Sequence, residues 1–233
     1  MLVENQILFE DEFCFCINKP NNLLVHHSYY ARNIEENSLV QLLREYGFET
    51  PIPIHRLDRK TSGIMLFSKS KENASVFQEL FEKELIFKKY IALLRGHISE
   101  KMDIDSPVKN EKGNYKDAQS ILIPLERIEL NIEVKPYQTA RYSYVEFYPK
   151  TGRTHQLRIH SNKISHPIIG DHKYGNRHHN HMFADLLKME NLFLHARSLT
   201  FKHPFTQQEI HIDAPFPAFW AEFESICLNS KVI

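Results

Sequence analysis

The spacing of hydrophobic and polar positions changes repeatedly along the chain, and each change marks an element. Residues 7–17 alternate around Glu10-Asp11-Glu12, which predicts a hairpin with Cys14 and Cys16 on one strand face. Asn18-Lys19-Pro20-Asn21-Asn22 reads as a turn before the apolar run Leu23-Leu24-Val25. Leu39, Leu42, Leu43 and Tyr46 share a helical face, with Asn37 as cap and Gly47 as stop. Pro51 and Pro53 interrupt the chain before His55, and Ile64-Met65-Leu66-Phe67 is a buried strand after a turn at Gly63. Ser70 caps a helix carrying Ala74, Phe77, Leu80 and Phe81. Residues 87–98 form a strand, since Tyr90-Ile91-Ala92-Leu93-Leu94 is too apolar for a surface loop. Residues 103–116 are polar, hold Pro107 and Gly113, and read as a loop. Strands over 120–130 and 141–148 follow, then a helix over 154–162, a strand pair over 192–201 and 209–212, and a helix over 216–228. This order predicts an α+β fold with a mixed, mostly antiparallel sheet and flanking helices, in one domain.

Composition narrows the function classes. The 29 basic and 29 acidic residues balance, so total charge selects no partner. Local charge does: residues 141–177 hold seven basic side chains (Arg141, Lys150, Arg153, Arg158, Lys163, Lys173, Arg177) against Glu146 and Asp171. Residues 55–71 hold five against Asp58 alone. A concentrated basic face on a neutral protein suits a polyanion. Three cysteines build no disulfide framework and fit a reducing cytosol. The N-terminus lacks the basic and apolar regions of an export signal, and no run approaches a membrane span. A cytoplasmic protein with no membrane partner, acting as a monomer, is the expectation.

Two segments carry candidate chemistry. In His55-Arg56-Leu57-Asp58-Arg59 the neighbouring cations favour ionised Asp58, and extended backbone sends Arg56 and Asp58 to one side. A structural acid paired with arginine fits the same residues. The second segment, Thr151-Gly152-Arg153-Thr154-His155-Gln156-Leu157-Arg158-Ile159-His160, places Thr154, His155 and Arg158 on one helical face. The Arg158 fork suits a buried carboxylate. His155 and His160, five apart, fall on different sides, which argues against zinc. Arg177-His178-His179-Asn180-His181, with His166 and His172, is a further zinc possibility, set against a loop facing solvent or RNA.

These blocks resemble the signatures of the RluA-type pseudouridine synthases. The resemblance includes His55-Arg56-Leu57-Asp58 with Thr61-Ser62-Gly63, Lys89-Tyr90-Ile91-Ala92, and residues 152–160. It extends to Asn18-Lys19-Pro20 with Leu24-Val25-His26, His166-Pro167-Ile168-Ile169-Gly170-Asp171, and Leu194-His195-Ala196 with His203-Pro204. Six blocks in the family's order span about residues 7–215. The resemblance implies a central RNA-binding cleft, no cofactor, no metal, and no appended S4-like domain. It implies that Asp58 is the essential aspartate, that Tyr90 stacks on the target base and serves as general base, and that Arg158 pairs with the aspartate. Arg56 would fill the space left by the flipped nucleotide. His55, Arg59, Arg153, His155, Gln156, His160 and Lys173 are further expected RNA contacts.

The implied reaction breaks the uracil N1–C1′ bond, turns the base and joins C5 to C1′. The base must first leave its stack. Asp58 either attacks C1′ or removes the 2′-proton. Val25-His26-His27-Ser28, residues 141–143 and 149–153, and residues 166–180 most resemble the branch acting on tRNA position 65. The same reaction on ribosomal RNA or another tRNA position, and a non-catalytic RNA-binding protein of the same fold, are the alternatives.

Overall fold

The computed structural model describes residues 4–27, 36–110 and 112–230. The chain forms two compact units, residues 1–88 with 196–215, and residues 89–195 with 216–233.

The first unit opens with β1 (Ile7–Glu10) and β2 (Cys14–Lys19), the expected antiparallel hairpin. β2 is buried on both faces, which is why Cys14, Phe15, Cys16 and Ile17 are all excluded from water. Helix α1 (Leu39–Tyr46) is capped by Ser38, not Asn37: Ser38 Oγ accepts from Gln41 N–H, and Gln41 Oε1 accepts from Ser38 N–H. The capping box requires a hydroxyl three residues before a Gln, and Asn37 lies one residue too early. The side chain of Asn37 reaches Glu45 instead. β3 (Ile52–Pro53) and β2 both pair with β4 (Ser62–Ser68). Gly63 lies at φ +112°, and a Cβ there would strike the Ala196 carbonyl at 2.2 Å. Helix α2 (Lys71–Glu82) follows, its first turn closed by Ser70 Oγ accepting from Asn73 N–H.

The second unit is built on β5 (Phe87–Arg95), which belongs to it from Lys89 onward. The segment read as a polar loop holds three strands: β6 (Met102–Asp105) and the hairpin of β7 (Val108–Lys109) with β8 (Tyr115–Lys116). Strands this short and this polar carry no apolar alternation to betray them. β9 (Gln119–Leu130) and β10 (Ala140–Pro149) are the long pair expected, giving the antiparallel order β5-β10-β9-β6. The sheet is covered on both faces, so β5 is apolar at every central position. Ile91 and Leu93 face the cluster containing Tyr142, Phe193, Trp220 and Phe223, while Ala92 and Leu94 face the one containing Val145, Phe147, Leu157 and Ile168. Helix α3 (Gln156–Lys163) begins two residues later than expected, after His155 at φ 56°. Helix α4 (Arg177–Asp185) is capped by Asn176. The histidines His178, His179 and His181 therefore sit on a helix, not on a loop.

The chain returns to the first unit through β11 (Leu194–Lys202) and β12 (Glu209–Asp213), an antiparallel pair. It ends in α5 (Ala218–Ser230), which supplies Trp220 and Phe223 to the second unit's core.

Candidate active site

In the first unit, the segment around Asp58 is tied down by the turn after β2. Lys19 is fully buried and its Nζ donates to the carbonyls of Pro20, Leu23 and Arg59 at 2.9, 2.9 and 3.0 Å. Three carbonyls occupy all three donors of an ammonium. Burial pushes Lys19 down to about 7, and the charge of Asp58 pulls the other way. Asn21 Nδ2 donates to the Lys60 carbonyl, and Thr61 N–H donates to the Asp58 carbonyl at 3.0 Å. Asp58 is thus carried on a loop whose backbone is fixed from both ends. Lys19 and Asn21 join the site through backbone carbonyls, a role that the Asn18-Lys19-Pro20 sequence does not signal.

The remaining first-unit candidates behave differently from one another. Arg56 is exposed. At His26 burial, then Arg56, lowers the pKa, and its Nδ1 has no hydrogen-bond partner among the described residues. Arg59 donates to the Asn22 carbonyl and pairs with Glu36 at 3.2 Å. Such an exposed pair is worth at most about 1 kcal/mol and can be exchanged for a phosphate. His55 accepts from Leu66 N–H at Nε2 (3.1 Å) and its ring lies 4.7 Å from that of Phe81. Burial, with Lys88 adding, pushes it down to about 3. This ring is neutral, and only its Nδ1–H edge is left to offer an RNA.

In the second unit, Tyr90 stands opposite Phe147 and packs against the cluster that contains Leu157 of α3. Tyr90 and α3 therefore share one face of that sheet. Arg158 is buried and holds Asp171 with both ends of its fork, Nε to Oδ2 at 2.8 Å and Nη2 to Oδ1 at 2.9 Å. Asp171 also accepts from the backbone of Lys173 and Tyr174. Burial alone would raise its pKa; the Arg158 fork overcomes this and holds the carboxyl below its ordinary value. Arg158 lies 5.3 Å above the Tyr174 ring, whose hydroxyl meets His155 Nδ1 at 3.1 Å. Sequence alone does not bring Asp171 and Tyr174 here, Asp171 lying thirteen positions from Arg158.

Two expected RNA contacts are corrected. Gln156 is buried and spends every polar valence inside the protein: Oε1 accepts from Thr151 Oγ1 and Arg153 N–H, and Nε2 donates to Gln119 O and Ser120 Oγ. His160 is fully buried between Ser120 Oγ (3.1 Å) and the Ser106 carbonyl (2.9 Å). Both residues brace α3 and cannot reach an RNA. Arg153 is exposed, its Nε donating to Asp117 O, and Lys173 is exposed with its Nζ 5.3 Å from the Tyr174 ring.

Among the described residues one group of possible ligands comes together, Asp11, Cys14 and His203. His203 Nδ1 accepts from the backbone of Phe205 and Thr206, so its proton sits on Nε2, facing Asp11 Oδ2 at 3.1 Å. Burial, with Asp11 adding, pushes the Cys14 thiol up. A metal there would require an imidazolate and a thiolate; the group is instead a lock between the β1–β2 and β11–β12 turns.

The comparisons with known proteins bear on the fold and the family. The human protein titled RNA Pseudouridylate Synthase Domain Containing 1 superposes with a TM-score of 0.70 at 26% identity, over 91% of this chain and 83% of that one. The human protein titled RNA Pseudouridylate Synthase Domain Containing 4 shares the fold, with a TM-score of 0.72 at 24% identity over 99% and 95%. The fold is that of the pseudouridylate synthases. The family described as RNA pseudouridylate synthase matches residues 14–163. The tRNA pseudouridine synthase C of Vibrio cholerae is 37% identical over 97% of this chain and 99% of its own length. That of Haemophilus ducreyi is 40% identical over 94% and 93%. The chain belongs to the RNA pseudouridylate synthase family, and its activity is the isomerisation of uridine to pseudouridine in RNA.

Proposed function

We propose that the substrate is tRNA and that the modified uridine is the one at position 65. The observation that carries the substrate is the name shared by relatives 37% and 40% identical over nearly the full length of both chains, tRNA pseudouridine synthase C. The position rests on the blocks at residues 25–28, 141–153 and 166–180. We extend the reading to a monomeric enzyme of the cytoplasm, where tRNA is handled, with the whole chain serving as one catalytic domain. No helix among the described residues is long and apolar enough to cross a membrane.

The reaction is balanced within the substrate. The N1–C1′ bond breaks, the uracil turns, C5 bonds to C1′, and the proton lost from C5 is matched by one gained at N1. Asp58 is the catalytic carboxylate, acting either by attack on C1′ or by removal of the 2′-proton. Positive charge develops on the sugar as the glycosidic bond breaks, so an anion in this role lowers the barrier. Tyr90 stacks on the extruded base and serves as the general base; Arg158 supplies the cation that keeps a desolvated carboxylate ionised. Arg56 enters the space the base leaves, and His55, Arg59, Arg153, His155 and Lys173 line the RNA path.

The test is tritium release from tRNA labelled at uridine C5. Asp58→Asn should lower turnover by on the order of 10³-fold or more while RNA binding persists. Full turnover by that variant would overturn the assignment of Asp58. Mapping pseudouridine in cellular tRNA and ribosomal RNA, with and without the protein, decides the substrate: loss confined to ribosomal RNA would remove the tRNA reading.

A further inference from the structure

The β7–β8 hairpin is a polar arm that the reaction above leaves unused. Its root is bolted down. Lys163 Nζ of α3 donates to Ser106 Oγ and the Pro107 carbonyl at 2.6 Å, and His160 Nε2 lies 2.9 Å from the Ser106 carbonyl. Ser106 N–H donates to Ala118 O, and Val108, 1% exposed, plugs the hairpin into the protein. Its tip is preorganised: Asn110 Oδ1 accepts from the backbone of Lys112 and Asn114, and Gly113 turns at φ +82° with its N–H on Asn110 O.

What the arm presents is basic and aromatic. Lys109, Lys112 and Lys116 are exposed, against the acids Glu111 and Asp117 in the sequence from Ser106 to Ala118. Tyr115 is 64% exposed, with Lys109 Nζ 5.1 Å above its ring. A hairpin serving only the fold would bury its one aromatic; here the valine is buried and the tyrosine is turned out. A cation on an exposed aromatic plane, beside two further cations, matches a polymer that carries both phosphates and stackable bases.

We propose that the hairpin is a second RNA contact, with Lys109, Lys112 and Lys116 taking phosphates and Tyr115 taking a base of the substrate outside the reacting nucleotide. The inference rests on RNA being the substrate and not on the choice of tRNA.

The experiment measures binding of the full-length protein to bulk tRNA and to ribosomal RNA across a salt series, with tritium release alongside. The triple variant K109A/K112A/K116A should lower the salt slope of log K by about 2, at roughly 0.7 per phosphate contact on single strands. It should raise KM more than it lowers kcat. Tyr115→Ala should weaken binding about tenfold with the slope unchanged, and Tyr115→Phe should restore it. Affinity and slope unchanged on both RNAs in all variants would overturn the proposal. Wild-type preference for ribosomal RNA, with the predicted loss in the triple variant, would instead overturn the tRNA reading and leave the hairpin assignment standing. Acidic protein partners are an opposing outcome: a hairpin that binds an acidic peptide but shows no RNA effect sinks the proposal.

Discussion

Arg158 is the residue on which fold and chemistry compete most directly. Its charge is held out of water by Asp171, itself 1% exposed, through a two-point fork. Breaking a buried pair strands the survivor, whereas replacing both partners by apolar groups of similar size is close to neutral. Asp171→Asn should therefore destabilise by about 3 kcal/mol in denaturant unfolding, because the buried guanidinium loses the charged two-point acceptor that Asp171 supplies. The double variant R158M/D171L should recover most of that stability. Its turnover should not recover, since the proposed role of Arg158 is to supply a cation. A double variant that regained both would make Arg158 a structural residue only. The pairing could not be read from the sequence, because Arg158 and Asp171 lie on a helix and a loop whose meeting depends on how residues 164–170 turn.

At the scale of the element, the lesson of α3 is that residue type is legible earlier than direction. The run from Thr151 to His160 declares itself as unusual by its polar and basic content, and the helix was expected there. Which of its polar groups point outward depends on where the helix begins. His155, at φ 56°, delays that start to Gln156 and turns Gln156 and His160 inward. The strands β2, β4, β9 and β10 were legible because two long periodic runs and two dense apolar ones leave little choice of register. β6, β7 and β8 were not, since their stability comes from pairing and from the α3 brace and not from an apolar face of their own. Gln156→Ala should expose this: it removes four hydrogen bonds, two of them to the buried or braced groups of β9. A loss of about 3 kcal/mol in thermal or denaturant unfolding is expected, with the salt slope of RNA binding unchanged. A normal stability accompanied by a lowered slope would restore Gln156 as an RNA contact.

Across the whole molecule, each unit carries a histidine that the fold refuses to protonate. In the first, burial with Lys88 pushes His55 down to about 3; in the second, burial with Arg95 and then His178 pushes His179 down to about 4. His55 is in a hydrogen bond that needs a neutral acceptor, its Nε2 receiving Leu66 N–H, and His179 Nδ1 lies 2.9 Å from Tyr142 Oη. Unfolded histidine titrates near 6.5, so below that pH the unfolded chain binds protons that the folded chain does not. Stability therefore rises with pH from about 4 to 6.5 and falls on acidification through the same window. Asp171 contributes in a lower window, since its depressed pKa stabilises the fold above the ordinary carboxylate value and that share is lost as pH falls through the folded pKa. Denaturant midpoints measured between pH 7 and 5.5 should thus decline, in a range above the ordinary carboxylate values of about 4. In H55Q/H179Q, where an amide oxygen keeps an acceptor without a titrating proton, the decline over that range should flatten. An equally steep decline in the double variant would place the acid sensitivity elsewhere and leave these two rings as ordinary core groups.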